Sequence, residues 1–325
     1  MKAQHLGTNG PVSSAIGLGC MGFSQAYGAA DDEQSLAAIR AALDLGVTMI
    51  DTAMSYGRGH NETLVGRALA GRRDEVVLAT KFGIVRGPDG VHLDGRPEHV
   101  RAYCEASLER LGTDVIDLYY LHRVDPEVPI ADTIGAMAEL VTAGKVRHLG
   151  VSEVNPTQLE QAAAVHPIAA VQFEWSLAWR EPEDDVVPTA RRLDIGLVPY
   201  SPLGRGLLTG ALPEGPFPEG DFRASDPRFA GDNLARNLAM VQVLEKLADQ
   251  HGVATGQLAL AWLLAQGPDV VPIPGSRNPG RVAENAGAAA VQLSPADLAA
   301  LEDAAPRRAW HGNRQSFAAY GLDRT

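Results

Sequence analysis

VVLATK (76–81), PEHVRAYCEASLERLG (97–112) and IDLYYLH (116–122) together decide how this chain folds. The first and third are short runs apolar on both faces, which suits strands of a parallel sheet covered by helices. The middle piece opens on proline, is amphipathic, and stops at Gly112, as helix punctuation predicts. Strand, helix and strand in that order make one β-α unit.

Outward from this unit the pattern repeats in both directions. Strand candidates fall at Ile16–Gly19, Val47–Asp51, Val76–Lys81, Ile116–His122, Val146–Val151, Ala170–Glu174, Gly196–Tyr200 and Val270–Pro274, with helical stretches between them. Several of those stretches begin with Asp, Asn or Pro and end at Gly46, Gly71 or Gly144. The chain is therefore expected to be an α/β protein, a closed (β/α)8 TIM barrel forming a single domain over residues 1–325. An open doubly wound sheet is the rival, but IGLGCMGFSQAYG (16–28) is a poor match to a Gly-rich phosphate loop opening a helix.

Three additions to the barrel are expected. Residues about 1–14 read as a hairpin around Asn9-Gly10 that caps the barrel floor. The Gly- and Pro-rich segment about 205–233 is too long for a plain connector and reads as a loop over the barrel mouth. SPADLAALEDAA (294–305) reads as an extra C-terminal helix, followed by a polar tail over about 306–325.

Composition narrows the function classes. With 45% apolar and 21% charged residues, collagen-like, fibrous and wholly disordered chains are excluded. Forty acidic against 28 basic residues give a formal charge of −12, which argues against a nucleic-acid partner. No apolar run has the length of a signal peptide or a spanning helix, so a soluble cytoplasmic chain with no membrane partner is expected. Two cysteines, Cys20 and Cys104, make no disulfide framework, and no Cys/His cluster offers a metal site.

A barrel of this kind carries its chemistry at the C-terminal ends of the strands. Asp51, Lys81 and His122 fall there, and Tyr56 follows in the loop DTAMSYG (51–57). A tyrosine is a weak acid at neutral pH, and an adjacent ammonium lowers its pKa while an aspartate holds that ammonium charged and aimed. A histidine within reach of the same oxygen orients a carbonyl. The set suits protonation of an oxygen as hydride arrives at its carbon.

On these residues the chain resembles the aldo-keto reductase family. The likeness runs through GLGCMGFS, IDTAMSYGRGHNETLVGRAL, ATKFG, DLYYLHRVDP, GKVRHLGVSE, VQFEWSL, PYSPLGRGLLTG and PIPGSRNPGRVAENAGA. It implies an NADPH-dependent reductase of a small aldehyde or ketone, with Tyr56 as proton donor and Asp51, Lys81 and His122 completing a tetrad. It also implies that Ser152 and Gln172 hold the nicotinamide carboxamide and that Tyr200 stacks on its ring. Ser201, Leu203, Gly204 and Arg205 match the pyrophosphate-side loop. Gly275, Ser276, Arg277, Arg281, Glu284 and Asn285 match the segment that takes the adenosine 2′-phosphate and adenine.

The sequence departs from the common family form twice. Gly275 stands where many members carry Lys, and Glu153 where many carry Asn. Met21, Phe23, Phe82, Trp175 and the 205–233 loop are the expected substrate walls. Two other classes share parts of this pattern. A nucleotide-binding, redox-sensing accessory subunit would carry the same tetrad with little turnover, and a non-redox barrel enzyme would use Lys81 as a Schiff-base amine.

Overall fold

The computed structural model describes residues 1–87, 90–212 and 215–314. Strands β1 (Ala3–His5) and β2 (Val12–Ser14) pair antiparallel as the N-terminal hairpin. They are joined through residues 6–11 rather than by a two-residue Asn-Gly turn. The wider loop drives Leu6, fully buried, into the barrel floor. A Cβ on Gly196 would stand 2.6 Å from the Leu6 Cα, so this strand start must stay bare for the plug to seat.

Seven parallel strands follow: β3 (Leu18–Gly19), β4 (Met49–Asp51), β5 (Val77–Phe82), β8 (Ile116–Leu121), β9 (Val146–Ser152), β10 (Ile168–Glu174) and β11 (Gly196–Tyr200). They neighbour one another in chain order from β3 to β11. The expected eighth strand, 270–274, closes the circle without forming a full ladder. On one side Val271 and Ile273 donate to the carbonyls of Leu197 and Pro199, at 2.9 and 3.0 Å. On the other, Gly17 and Gly19 donate to the carbonyls of Pro272 and Pro274, at 2.9 and 3.2 Å. The two prolines have no N–H to return, which halves the ladder toward β3.

That seam is also unusually close. A Cβ on Gly19 would meet the Ile273 carbonyl oxygen at 2.7 Å, and one on Gly275 would meet the Gly19 oxygen at 2.5 Å. Gly275 is therefore dictated by backbone packing, which accounts for the missing lysine.

Helices α1 (Asp32–Asp44), α2 (His60–Leu69), α3 (Pro97–Leu111), α4 (Ile130–Thr142), α5 (Pro156–Val165), α6 (Val186–Arg192), α7 (Gly231–His251), α8 (Thr255–Ala265) and α9 (Pro279–Gly287) cover the sheet. Their ends obey local chemistry. Asn155 and Gln158 form a capping box at α5, and Gly112, at φ 63°, closes α3 through bonds to the Glu109 and Leu108 carbonyls. Helix α10 (Pro295–Ala304) is the expected extra helix. The tail is described as far as Arg314, and the rest of the expected 306–325 segment lies outside the described residues.

A second hairpin, β6 (Ile84–Gly87) with β7 (Gly90–Leu93), interrupts the unit after β5 and was not anticipated from the sequence. The described residues of the 205–233 segment form three short helical turns before α7 begins at Gly231. It reaches across the rim, where Phe222 donates to the Ala26 carbonyl at 3.0 Å.

Candidate active site

Alternation along each strand decides which side chains enter the barrel. Met49, Ala79, Leu118 and Tyr120 fill its interior, so Asp51, Lys81 and His122, each an even step onward, also point inward. Tyr56 arrives from the turn Tyr56–Gly59, whose Gly57 and Arg58 both take left-handed backbone angles. That turn is held by Gln25, which accepts from the Gly57 N–H at 3.0 Å. Buried Asn61 bonds Thr52, the Cys20 carbonyl and Ser24. Asn61 is a positioning residue that sequence reasoning did not single out.

The four expected residues meet. Fully buried Lys81 donates from Nζ to Asp51 Oδ1, to the Thr52 carbonyl at 2.8 Å and to Tyr56 Oη at 3.5 Å. The Tyr56 and His122 rings stand edge to face with centroids 5.8 Å apart. Gln172 Nε2 donates to the second Asp51 oxygen at 2.8 Å. The carboxylate thus has a partner on each oxygen.

Burial sets the proton affinities. It pulls Lys81 down, but Asp51 and Tyr56 outweigh it, so the ammonium is held above its ordinary range. Burial raises Tyr56, and Lys81 and Arg123 offset this only in part. The expectation that Lys81 would leave the phenol below its ordinary value is corrected, because desolvation of the phenolate wins. His122 is pushed well below its ordinary value by burial first, then by Arg123, Lys81 and Arg86, and its Nδ1 is buried without a partner among the described residues. The corner holds a neutral phenol, a neutral imidazole and a charged ammonium around one point. Neither cysteine offers a rival nucleophile: burial pushes Cys104 up to about 12 and Cys20 higher.

Beside this corner lie Ser152 and Gln172, paired in register on β9 and β10, with half-buried Tyr200 on β11. Arg123 donates to Ser152 Oγ at 3.0 Å and to the His122 carbonyl at 2.6 Å, tying the ends of β8 and β9 together. Hydroxyl and amide groups at adjacent strand ends can read a carboxamide, and a half-covered ring can support a flat heterocycle. These residues fit a nicotinamide. Ser201, Leu203 and Gly204 stand at the next rim position, with Ser201 and Gly204 in left-handed backbone.

Arg205 is corrected. Its side chain turns inward, fully buried, to Asp226 at 2.7 Å and Glu174 at 3.5 Å, rather than toward a pyrophosphate. Arg228 completes this cluster, reaching Glu174 at 2.5 Å and Asp226 at 2.8 Å. Glu174 is held down to about 2: burial would raise it, but the positive charges of Arg228, Arg205 and Arg314 outweigh burial.

At the far end, Ser276, Arg277 and Arg281 lie before and within the first turn of α9, and Glu284 and Asn285 one turn on. Arg281 and Glu284 are exposed, and Asn278 already accepts from the N–H groups of Gly280 and Arg281. Arg277 donates to the carbonyls of Tyr27, at 2.8 Å, and Ala29, lacing the first rim loop to this segment. Arg281 is thus the more available cation for an anionic group.

Three expected substrate walls are corrected. Phe82 is one residue past inward-facing Lys81 and so points outward, stacking on Tyr119 at 5.1 Å. Trp175 packs against Trp262 and donates to Glu183, and Phe23 is buried in the same outer core. Met21 alone stays half-buried at the rim. Among the described residues no group of three His, Cys, Asp or Glu gathers as a metal site, and no helix is long and apolar enough to cross a membrane.

A model of the aldo/keto reductase family matches residues 15–306. The chain is similar to a probable aldo-keto reductase 1 of Glycine max, 46% identical over 304 residues, which covers 93% of this chain and 88% of that protein. It is also similar to the solved glycerol dehydrogenase of Gluconobacter oxydans, with TM-score 0.87 and 34% identity over 94% of this chain and 96% of that one. An aldo/keto reductase of Klebsiella pneumoniae, solved with NADP and acetate, gives TM-score 0.73 and 31% identity over 96% of this chain and 98% of that one.

Proposed function

The chain belongs to the aldo/keto reductase family, and on that premise we propose that it reduces an aldehyde or ketone to an alcohol with NADPH, Tyr56 giving the proton. One observation carries this reading: buried Lys81 bridges Asp51 and the Tyr56 hydroxyl. NADPH, when bound, supplies the hydride to the carbonyl carbon. Ser152 and Gln172 would hold the carboxamide, Tyr200 the ring, and Ser276 and Arg281 the 2′-phosphate side.

Tyr56 transfers its proton to the carbonyl oxygen, and the phenolate left behind is stabilised by the Lys81 ammonium until solvent restores the proton. Asp51 keeps that ammonium charged and aimed. Neutral His122 orients the oxygen by a hydrogen bond, a role for which an imidazolium would compete as an acid. Oxidation of an alcohol runs through the same groups in reverse, which matters because one similar structure is a glycerol dehydrogenase.

The test is loss of NADPH absorbance with a panel of aromatic and aliphatic aldehydes, repeated with Tyr56→Phe. Turnover that vanishes in a folded variant supports the assignment. Full activity in that variant overturns it, and absence of turnover in the parent over the whole panel favours a nucleotide-binding role.

A further inference from the structure

Arg314 follows α10 by ten residues and lies in the segment expected to be a plain polar tail, yet it is only 5% exposed. Three contacts bring it there. Buried Asn237 of α7 donates to the carbonyls of Arg228 and His311, at 3.0 and 2.9 Å, and accepts from the His311 N–H at 2.9 Å. Gly312 lies flat on the Pro227–Arg228 backbone, where a Cβ would stand 2.6 Å from the Pro227 oxygen. The Arg314 guanidinium then rests over the Trp179 ring, 5.4 Å from its centroid.

From that seat Arg314 donates to both oxygens of Glu153, at 3.2 and 2.6 Å. Glu153 is one of the two residues where the sequence departs from the family form, and it immediately follows Ser152. Its φ of 53° is in the region that non-glycine residues rarely enter. Two further bonds hold it there: its N–H donates to the Gln172 carbonyl at 2.9 Å, and its Oε1 accepts from the Glu174 N–H at 3.0 Å. The carboxylate therefore ties the ends of β9 and β10 together, one residue beyond Ser152 and close enough to Tyr200 to act on it electrostatically.

We propose that Arg314 is a positioning residue that neutralises Glu153 and so sets how the site discriminates oxidised from reduced nicotinamide. The inference rests on the reading of Ser152, Gln172 and Tyr200 given above. A reduced nicotinamide ring is neutral and an oxidised one carries a positive charge. A carboxylate paired in two bonds presents little field to that ring, whereas the same carboxylate bared at low dielectric attracts the cation. The other cations on this face have their own bonds: Arg123 to Ser152, and Arg205 and Arg228 to Glu174 and Asp226.

The experiment is a fluorescence titration of the full chain with NADP⁺ and with NADPH, for the parent, Arg314→Met, Glu153→Gln and the double variant. In Arg314→Met the ratio of the two dissociation constants is expected to move about tenfold toward NADP⁺. The double variant, with no charge on either side, is expected to return the ratio to within about twofold of the parent. Arg314→Lys serves if the methionine variant does not fold: it keeps the charge, so both affinities weaken while the ratio stays. An unchanged ratio in folded Arg314→Met, or a shift in Arg314→Lys as large as a neutral residue would give, overturns the inference while leaving the reductase reading intact. A parent that binds neither nucleotide overturns both.

Discussion

Two buried charged clusters sit at the same end of the barrel, and they are built on opposite rules. At the junction of β10, the mouth loop and the tail, three arginines (205, 228, 314) face three acids (Glu153, Glu174, Asp226), each ion in contact with at least one of opposite charge. At the other, Lys81 and Asp51 pair with each other but adjoin two neutral groups, Tyr56 and His122, whose polar atoms are less completely bonded. In the first cluster charge is matched ion for ion, which makes a scaffold. In the second, His122 Nδ1 has no hydrogen-bond partner among the described residues, and such unused capacity is what a substrate oxygen requires.

The largest expected effect breaks the second cluster alone. Tyr56→Phe removes one oxygen atom, and reduction is expected to fall about 10³-fold with an unchanged thermal midpoint, measured as NADPH consumption beside a melting curve. The mirror experiment is Glu174→Gln, which removes one of the two acids that Arg228 and Arg205 share and leaves the cluster with an excess positive charge. Urea unfolding is expected to show a loss of about 3 kcal/mol, because breaking a buried pair leaves an uncompensated charge. If instead Glu174→Gln left stability untouched, the division between scaffold and chemistry would fail.

Acid sharpens the same contrast. Glu174 is depressed from 4.5 to about 2, so its contribution is fully present above pH 4.5 and disappears as pH falls toward 2. His122 acts in the same sense from below its ordinary 6.5, since the unfolded imidazole takes a proton that the buried one refuses. Stability followed by circular dichroism is expected to decline below about pH 6 and to lose on the order of 3 kcal/mol between pH 4.5 and 2 from Glu174 alone. The smallest effect concerns alkali. Because Tyr56 is raised above 10.0, its proton persists there, and the rate of reduction is expected to change less than about twofold between about pH 7 and pH 9.

The barrel was legible because eight short apolar runs alternate with punctuated helices, and that pattern survives without knowledge of any contact. The tetrad was legible for a related reason: its members lie one to each strand end or just beyond. What failed was parity. Lys81 and Phe82 were both expected at the mouth, but adjacent strand residues face opposite ways, and the charged one took the interior. Trp175 failed in the same way relative to Gln172. Arg205 and Arg314 lay beyond reach for another reason: their partners are 21 to 161 positions away, and no local periodicity encodes such pairing. Glu153 was visible as an anomaly, but its explanation needed the tail.

The two prolines of the closing segment have a consequence for how the barrel completes itself. Residues 271 and 273 present their donors to β11, while 272 and 274 offer acceptors alone to Gly17 and Gly19. Sliding that segment by a single residue would turn the nitrogens that cannot donate toward β11 and rob that edge of its bonds. Proline thus acts here as a key cut for one position: the ring can shut in a single alignment, and the glycine-lined groove beside it rejects any other.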